Sequence, residues 1–131
     1  MREVARIPAV LVALLFGVIG VAQIIAQAPP ALPLGAGRPD TPGVIRTSLK
    51  DDAKASVVRV QFEPGAKEPP HTHPYDVMLI PLVNRAVEFD VGGQSVQALQ
   101  VGTLHLIPRD VTHSLVNPGN DRLDFITIAL K

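Results

Sequence analysis

A single all-β domain of antiparallel strands is the fold this sequence predicts, and three features predict it. Past residue 40 the apolar residues recur with a period of two, turn-forming residues interrupt the pattern every few positions, and no stretch keeps a helical period. In SVVRVQFE, residues 56–63, Val58, Val60 and Phe62 share one face while Arg59, Gln61 and Glu63 share the other, as in a half-buried strand. MLIPLV (78–83), AVEFDV (86–91), QSVQALQV (94–101), LHLI (104–107) and RLDFITIAL (122–130) continue the series. Gly92-Gly93 joins two of these segments as a tight hairpin, because such a turn needs the left-handed backbone that glycine adopts without penalty. NPGND at 117–121 supplies another reversal before the last segment. Short strands at this spacing pack as a sandwich or barrel, here of six to eight strands between about residue 43 and residue 130.

A mass of 14.0 kDa over 131 residues allows one modest core and not two. Lys and Arg total 12 and so do Asp and Glu, so no basic surplus exists to hold nucleic acid. Cysteine is absent, which excludes disulfides, thiolate metal sites and a cysteine nucleophile. Any metal is then held by nitrogen and oxygen. No glycine-rich loop leads into a helix and no serine sits on a glycine elbow, so nucleotide and hydrolase chemistry find no support.

The first 28 residues read as a targeting segment, with Arg2 and Arg6 ahead of the apolar run AVLVALLFGVIGVA at 9–22 and a small-X-small AQA at 26–28. The run suits a secretory signal peptide better than a bilayer span, which wants ~20 apolar residues. Extended through Ile25 it would instead serve as an uncleaved N-terminal anchor, the one route by which this chain would touch a membrane. Either outcome places the domain outside the cytoplasm, in the periplasm or the extracellular space. Residues 29–42 form a Pro/Gly-rich linker, and the β domain occupies 43–131.

Three of the four histidines are candidates for a metal centre. His71 and His73, in GAKEPPHTHPYDVMLIP at 65–81, are one residue apart, and in an extended segment they point the same way. His113 follows the turn IPRDVT into another strand, which a barrel can bring alongside them. These spacings resemble the cupin superfamily. Gly65, five residues, His71, one residue and His73 is similar to the start of its first motif. Gly102, Pro108, Asp110, His113 and Asn117 are similar to its second, with Asp110 in place of a glycine. Aspartate tolerates a left-handed turn better than most residues, as does Asn84, which stands where the first motif would close on glycine.

The resemblance covers roughly residues 56–118 and implies a cupin-like antiparallel β-barrel, a double-stranded β-helix. Its interior His71, His73 and His113 would hold a divalent metal with a glutamate. The glutamate is missing: Val77 and Met78 occupy its positions, and Asp76 stands just before them. HPYDVMLIPL is also similar to a cupin subgroup linked to β-alanine degradation, which carries an acidic residue at this early place. Asp76 is accordingly expected to bind the metal or tune it from close by. A set of imidazoles with oxygen donors suits Fe, Mn, Ni, Cu or Zn.

Asp76, Tyr75 and His105 are the candidates for moving protons near the metal, and Arg109 for anchoring an anion at the rim. Two functions follow from such a centre. One is an exported metalloenzyme acting on a small organic acid or similar molecule, dioxygenase-like or isomerase-like. The other is a non-enzymatic module that binds or senses a metal or small ligand. Exposed sheet edges point to pairing between chains, so a homodimer is expected.

Overall fold

The computed structural model describes residues 41–131, which form nine strands and no helix. They are β1 (Val44–Asp51), β2 (Ala55–Phe62), β3 (Lys67–His71), β4 (Asp76–Pro81), β5 (Arg85–Val91), β6 (Gln94–Leu99), β7 (His105–Ile107), β8 (His113–Val116) and β9 (Leu123–Leu130). The expected targeting segment, and the expected linker apart from Thr41 and Pro42, lie outside the described residues. One sheet has the order β1-β2-β9-β4-β7 and the other β3-β8-β5-β6, with every pairing antiparallel.

Nine strands exceed the six to eight expected, and β1 accounts for much of the difference. In VIRTSLKD only Val44 is buried and the strand lies at the edge of its sheet, so no apolar face marks it in the sequence. The Gly92-Gly93 hairpin forms as expected, with φ of 60° and 84°, and joins β5 to β6.

Period-two alternation places Val58, Val60 and Phe62 of β2, Val77 and Leu79 of β4, and Leu123 and Phe125 of β9 on the inner face of the larger sheet. Phe89, Leu99 and Leu115 answer from the smaller one, and Phe62 meets Phe125 with ring centroids 5.8 Å apart. Burying each such side chain contributes about 1.5–3 kcal/mol relative to exposure, so this apolar layer is the main support of the fold. The histidines of β3 and β8 take inward positions on the smaller sheet.

Candidate metal centre

His71 and His113 are direct cross-strand partners on β3 and β8, so their side chains leave the sheet on the same side. Between the pair Glu68–Leu115 and the pair His71–His113, β3 advances three residues while β8 advances two. The extra residue is a β-bulge at Pro69-Pro70, where two residues without an N–H cannot continue a regular ladder. Its consequence is that Glu68 and His71 are both buried, although an odd spacing on a regular strand would set them on opposite faces. His73 lies just past β3, and its carbonyl accepts the N–H of Asp110 at 2.8 Å. Asp110 takes φ of 60°, the left-handed conformation expected of it, and the chain then turns into β8 and His113.

The three imidazoles converge, with donor nitrogens all within 4.8 Å of one another and ring centroids 4.1 to 4.9 Å apart. His71 Nδ1 lies 2.8 Å from the carbonyl of Pro69, and His113 Nδ1 lies 3.0 Å from that of Val111. A carbonyl only accepts, so each Nδ1 carries a proton and, in the neutral ring, each Nε2 keeps its lone pair. Backbone acceptors therefore set the tautomer and fix the ring in the manner of a metal-ligating histidine. His71 Nε2 and His73 Nε2 are 3.2 Å apart. Two nitrogens bound to one ion at about 2.0–2.1 Å stand about 2.8–3.4 Å from each other in octahedral or tetrahedral geometry, so this pair is spaced as two ligands of one first-row transition metal are.

Around the imidazoles lies a cavity of about 30 Å³ walled by Val58, Val60, Val77, Leu79, Phe89 and Phe125. One water needs about 10–15 Å³, so an ion and a small ligand group fill this space. Two charged residues that the sequence reading did not single out also line it. Glu68 Oε1 lies 3.6 Å from His71 Nε2 and pairs at 2.7 Å with Arg46 Nη2, which reaches in from β1. Their side chains are 10% and 15% exposed, so the pair is largely desolvated. EPPH, a charge followed by a double proline just ahead of the histidines, is the sequence signal that could have revealed the bulge and with it Glu68.

The remaining candidates sit elsewhere. β4 pairs with both neighbours without a register shift, so Val77 faces inward and Asp76 faces the other way. Asp76 Oδ1 accepts the backbone N–H of Arg109 at 2.9 Å and steadies the turn before β8 rather than joining the histidines. The side chain of Arg109 is exposed, and Tyr75 packs half-buried against the core without lining the cavity. His105 is on an inward register opposite Leu79, but it lines a separate groove and meets Phe89 edge-on at 6.1 Å. Phe89 lines both spaces, whereas His105 lines only the groove. Asn84 does not adopt the left-handed conformation: Asp110 is the only non-glycine residue with positive φ among those described, and Asn84 Oδ1 instead accepts the N–H of Val101 at 2.8 Å.

Asn117 ties together the backbone segments that lead to the site. Its buried amide donates to the carbonyls of Phe62, Glu63 and Asp121 at 3.1, 3.2 and 2.9 Å, and its Oδ1 accepts the N–H of Gly119 at 3.2 Å. Backbone bonds between Gly65 N–H and Asn117 O, and between Asn117 N–H and Ala66 O, complete the clasp. The end of β8 is thereby fixed to the turn that leads into β3, which holds His113 against His71.

A family model described as a cupin domain matches residues 58–129. Among solved structures, the chain is similar to a cupin domain from Bordetella pertussis Tohama I, at 26% identity and a TM-score of 0.62, covering 72% of this chain and 99% of that one. KdgF from Halomonas sp. gives 24% identity, a TM-score of 0.60 and coverage of 72% and 84%. A predicted oxalate decarboxylase from Thermotoga maritima gives 22% identity, a TM-score of 0.60 and coverage of 66% and 79%. Comparison with curated protein sequences finds no significant match.

Proposed function

We propose, from the premise that this chain belongs to the cupin family, that it is an exported protein holding one divalent transition metal at His71, His73 and His113. The observation that carries the reading is the convergence of three imidazoles, of which His71 and His113 have Nδ1 engaged by backbone carbonyls and His71 and His73 meet through Nε2. Such an ion supplies Lewis acidity or redox chemistry to a small ligand at its open positions. The chain's own contribution is to orient three neutral donors, exclude bulk water with Val58, Val77, Leu79 and Phe125, and leave the bound ion's positive charge largely uncompensated by the imidazoles.

That charge favours an anion, and a small organic acid is the substrate class proposed. The predicted oxalate decarboxylase among the neighbours of the same fold is in keeping with such a ligand. Among the described residues Glu68 is the one carboxylate lining the cavity, whereas Asp76 acts by steadying the turn ahead of His113. A second reading, a module that binds or senses a metal or small ligand without turnover, is favoured by the small cavity, which leaves little space beyond an ion and a water. We further propose a homodimer, with Fe, Mn, Ni, Cu and Zn all within the reach of this donor set.

Elemental analysis of the purified protein is expected to give about one transition metal per chain, lost when His71 and His113 are both replaced by alanine. Unchanged metal content in the double variant would place the metal elsewhere. Turnover of small carboxylates by the loaded protein then separates the enzyme from the binding module.

A further inference from the structure

At Val77 and Met78, where the resemblance implies a glutamate, the chain has an apolar residue facing the cavity and another on the opposite face of β4. A carboxylate nevertheless lines the same cavity, from β3 rather than β4. Glu68 owes its inward position to the Pro69-Pro70 bulge, and it approaches the histidines on the Nε2 side of His71, at 3.6 Å. A nitrogen and an oxygen that share one ion at about 2.0–2.2 Å stand about 3.0–3.6 Å apart for angles from octahedral to near trigonal. The separation therefore suits a shared ion.

Glu68 is also held back. Its Oε1 pairs with Arg46 Nη2 at 2.7 Å, and the carboxylate stands just outside the trio of mutually close imidazole donors. A buried carboxylate beside neutral rings is costly, and the guanidinium offsets part of that cost while no stronger cation is at hand. A divalent ion among the three imidazoles would be the stronger cation and would draw the carboxylate toward it.

We propose that Glu68 is the fourth protein ligand of the metal centre and that Arg46 is its positioning residue, competing with the ion for the carboxylate. The inference rests on the metal reading of His71, His73 and His113. It makes opposite predictions for the two members of one ion pair. Glu68→Gln removes a charged ligand, and Arg46→Met removes a competitor and a like charge.

The test is titration of the full chain with cobalt(II) chloride, read by calorimetry and by the visible bands of bound cobalt, which report the number and type of its ligands. Wild-type protein is expected to bind about one equivalent. Glu68→Gln should bind about 10–100-fold more weakly, with altered cobalt bands, and Arg46→Met roughly threefold or more tightly. If Glu68→Gln fails to fold, a double variant carrying Arg46→Met and Glu68→Met replaces the pair with apolar side chains of similar length, an exchange that cores tolerate. Its affinity should fall at least about tenfold below that of Arg46→Met alone. Wild-type affinity and spectrum in Glu68→Gln would overturn the proposal. Equal weakening by Glu68→Gln and Arg46→Met would overturn it too, because a purely structural clasp behaves that way. Absence of cobalt binding by the wild-type protein would instead retire the metal reading itself.

Discussion

Replacing Asn117 by aspartate tests the clasp between the end of β8 and the turn into β3 with almost no change of shape. The amide has two protons for the three carbonyls of Phe62, Glu63 and Asp121, so one proton is shared. A carboxylate has no proton to give them and faces three oxygens with a negative charge. Each buried acceptor left unsatisfied costs about 1–3 kcal/mol, and two lost donors set the expected destabilisation at about 2–6 kcal/mol near neutral pH. Against typical domain stabilities of about 5–15 kcal/mol this is a large fraction. Urea denaturation followed by far-ultraviolet circular dichroism measures it. The penalty is pH-dependent, with a definite sign. The introduced carboxyl is favoured in its protonated form when folded, so its folded pKa is raised above the unfolded value of about 4. The variant's deficit relative to wild type at the same pH is therefore smallest below that unfolded value and grows as pH rises through the folded one. A variant within about 1 kcal/mol of wild type and flat in pH would refute the clasp.

Asp110→Val puts a β-branched residue at φ of 60° and should cost about 1–2 kcal/mol while weakening metal binding, whereas Asp110→Gly should be neutral or slightly stabilising; thermal melts with and without metal distinguish the two. Hydrogen bonding from Arg59, opposed in part by burial, holds the Asp124 carboxyl below its ordinary range. A depressed folded pKa gives stability that is present above the unfolded carboxylate range and lost as pH falls through the folded value, so acid titration of stability should be shallower in Asp124→Asn than in wild type. Asp76→Asn keeps an acceptor for the Arg109 amide and is expected to lower metal affinity about tenfold at most. A loss of about a hundredfold with altered cobalt bands would put that carboxylate on the metal.

What the sequence made legible was whatever repeats or obeys a local rule. Strand β2 announced itself by alternation, β4, β5, β6 and β9 as short apolar segments set between turn signals, and Gly92-Gly93 by the backbone its turn demands. His71, His73 and His113 were found because one-residue spacing on an extended segment is itself a geometric statement, and the cross-strand pairing of His71 with His113 completes it. Edge strand β1 was missed because its residues face water on both sides for most of its length. Glu68 and Arg46 were missed for a different reason. One depends on a bulge that overrides alternation, and the other comes from a distant strand, so their meeting is a property of the barrel and of neither segment alone. Asp76 shows the converse, since a regular β4 carries it away from the site its place in the motif suggested.

The double proline at 69–70 has a bearing on how these molecules meet one another. Among the described residues β3 is the outermost strand of the smaller sheet, and both prolines are exposed on it. A strand arriving from another chain would find two consecutive positions with no amide hydrogen to offer, on the border that carries His71. Sheet extension, and with it fibril growth or strand exchange, is disfavoured there. The proposed homodimer is then expected to form through other borders, or through the outer surface of the larger sheet, where Val57, Ile128, Met78 and Leu106 line up across four strands.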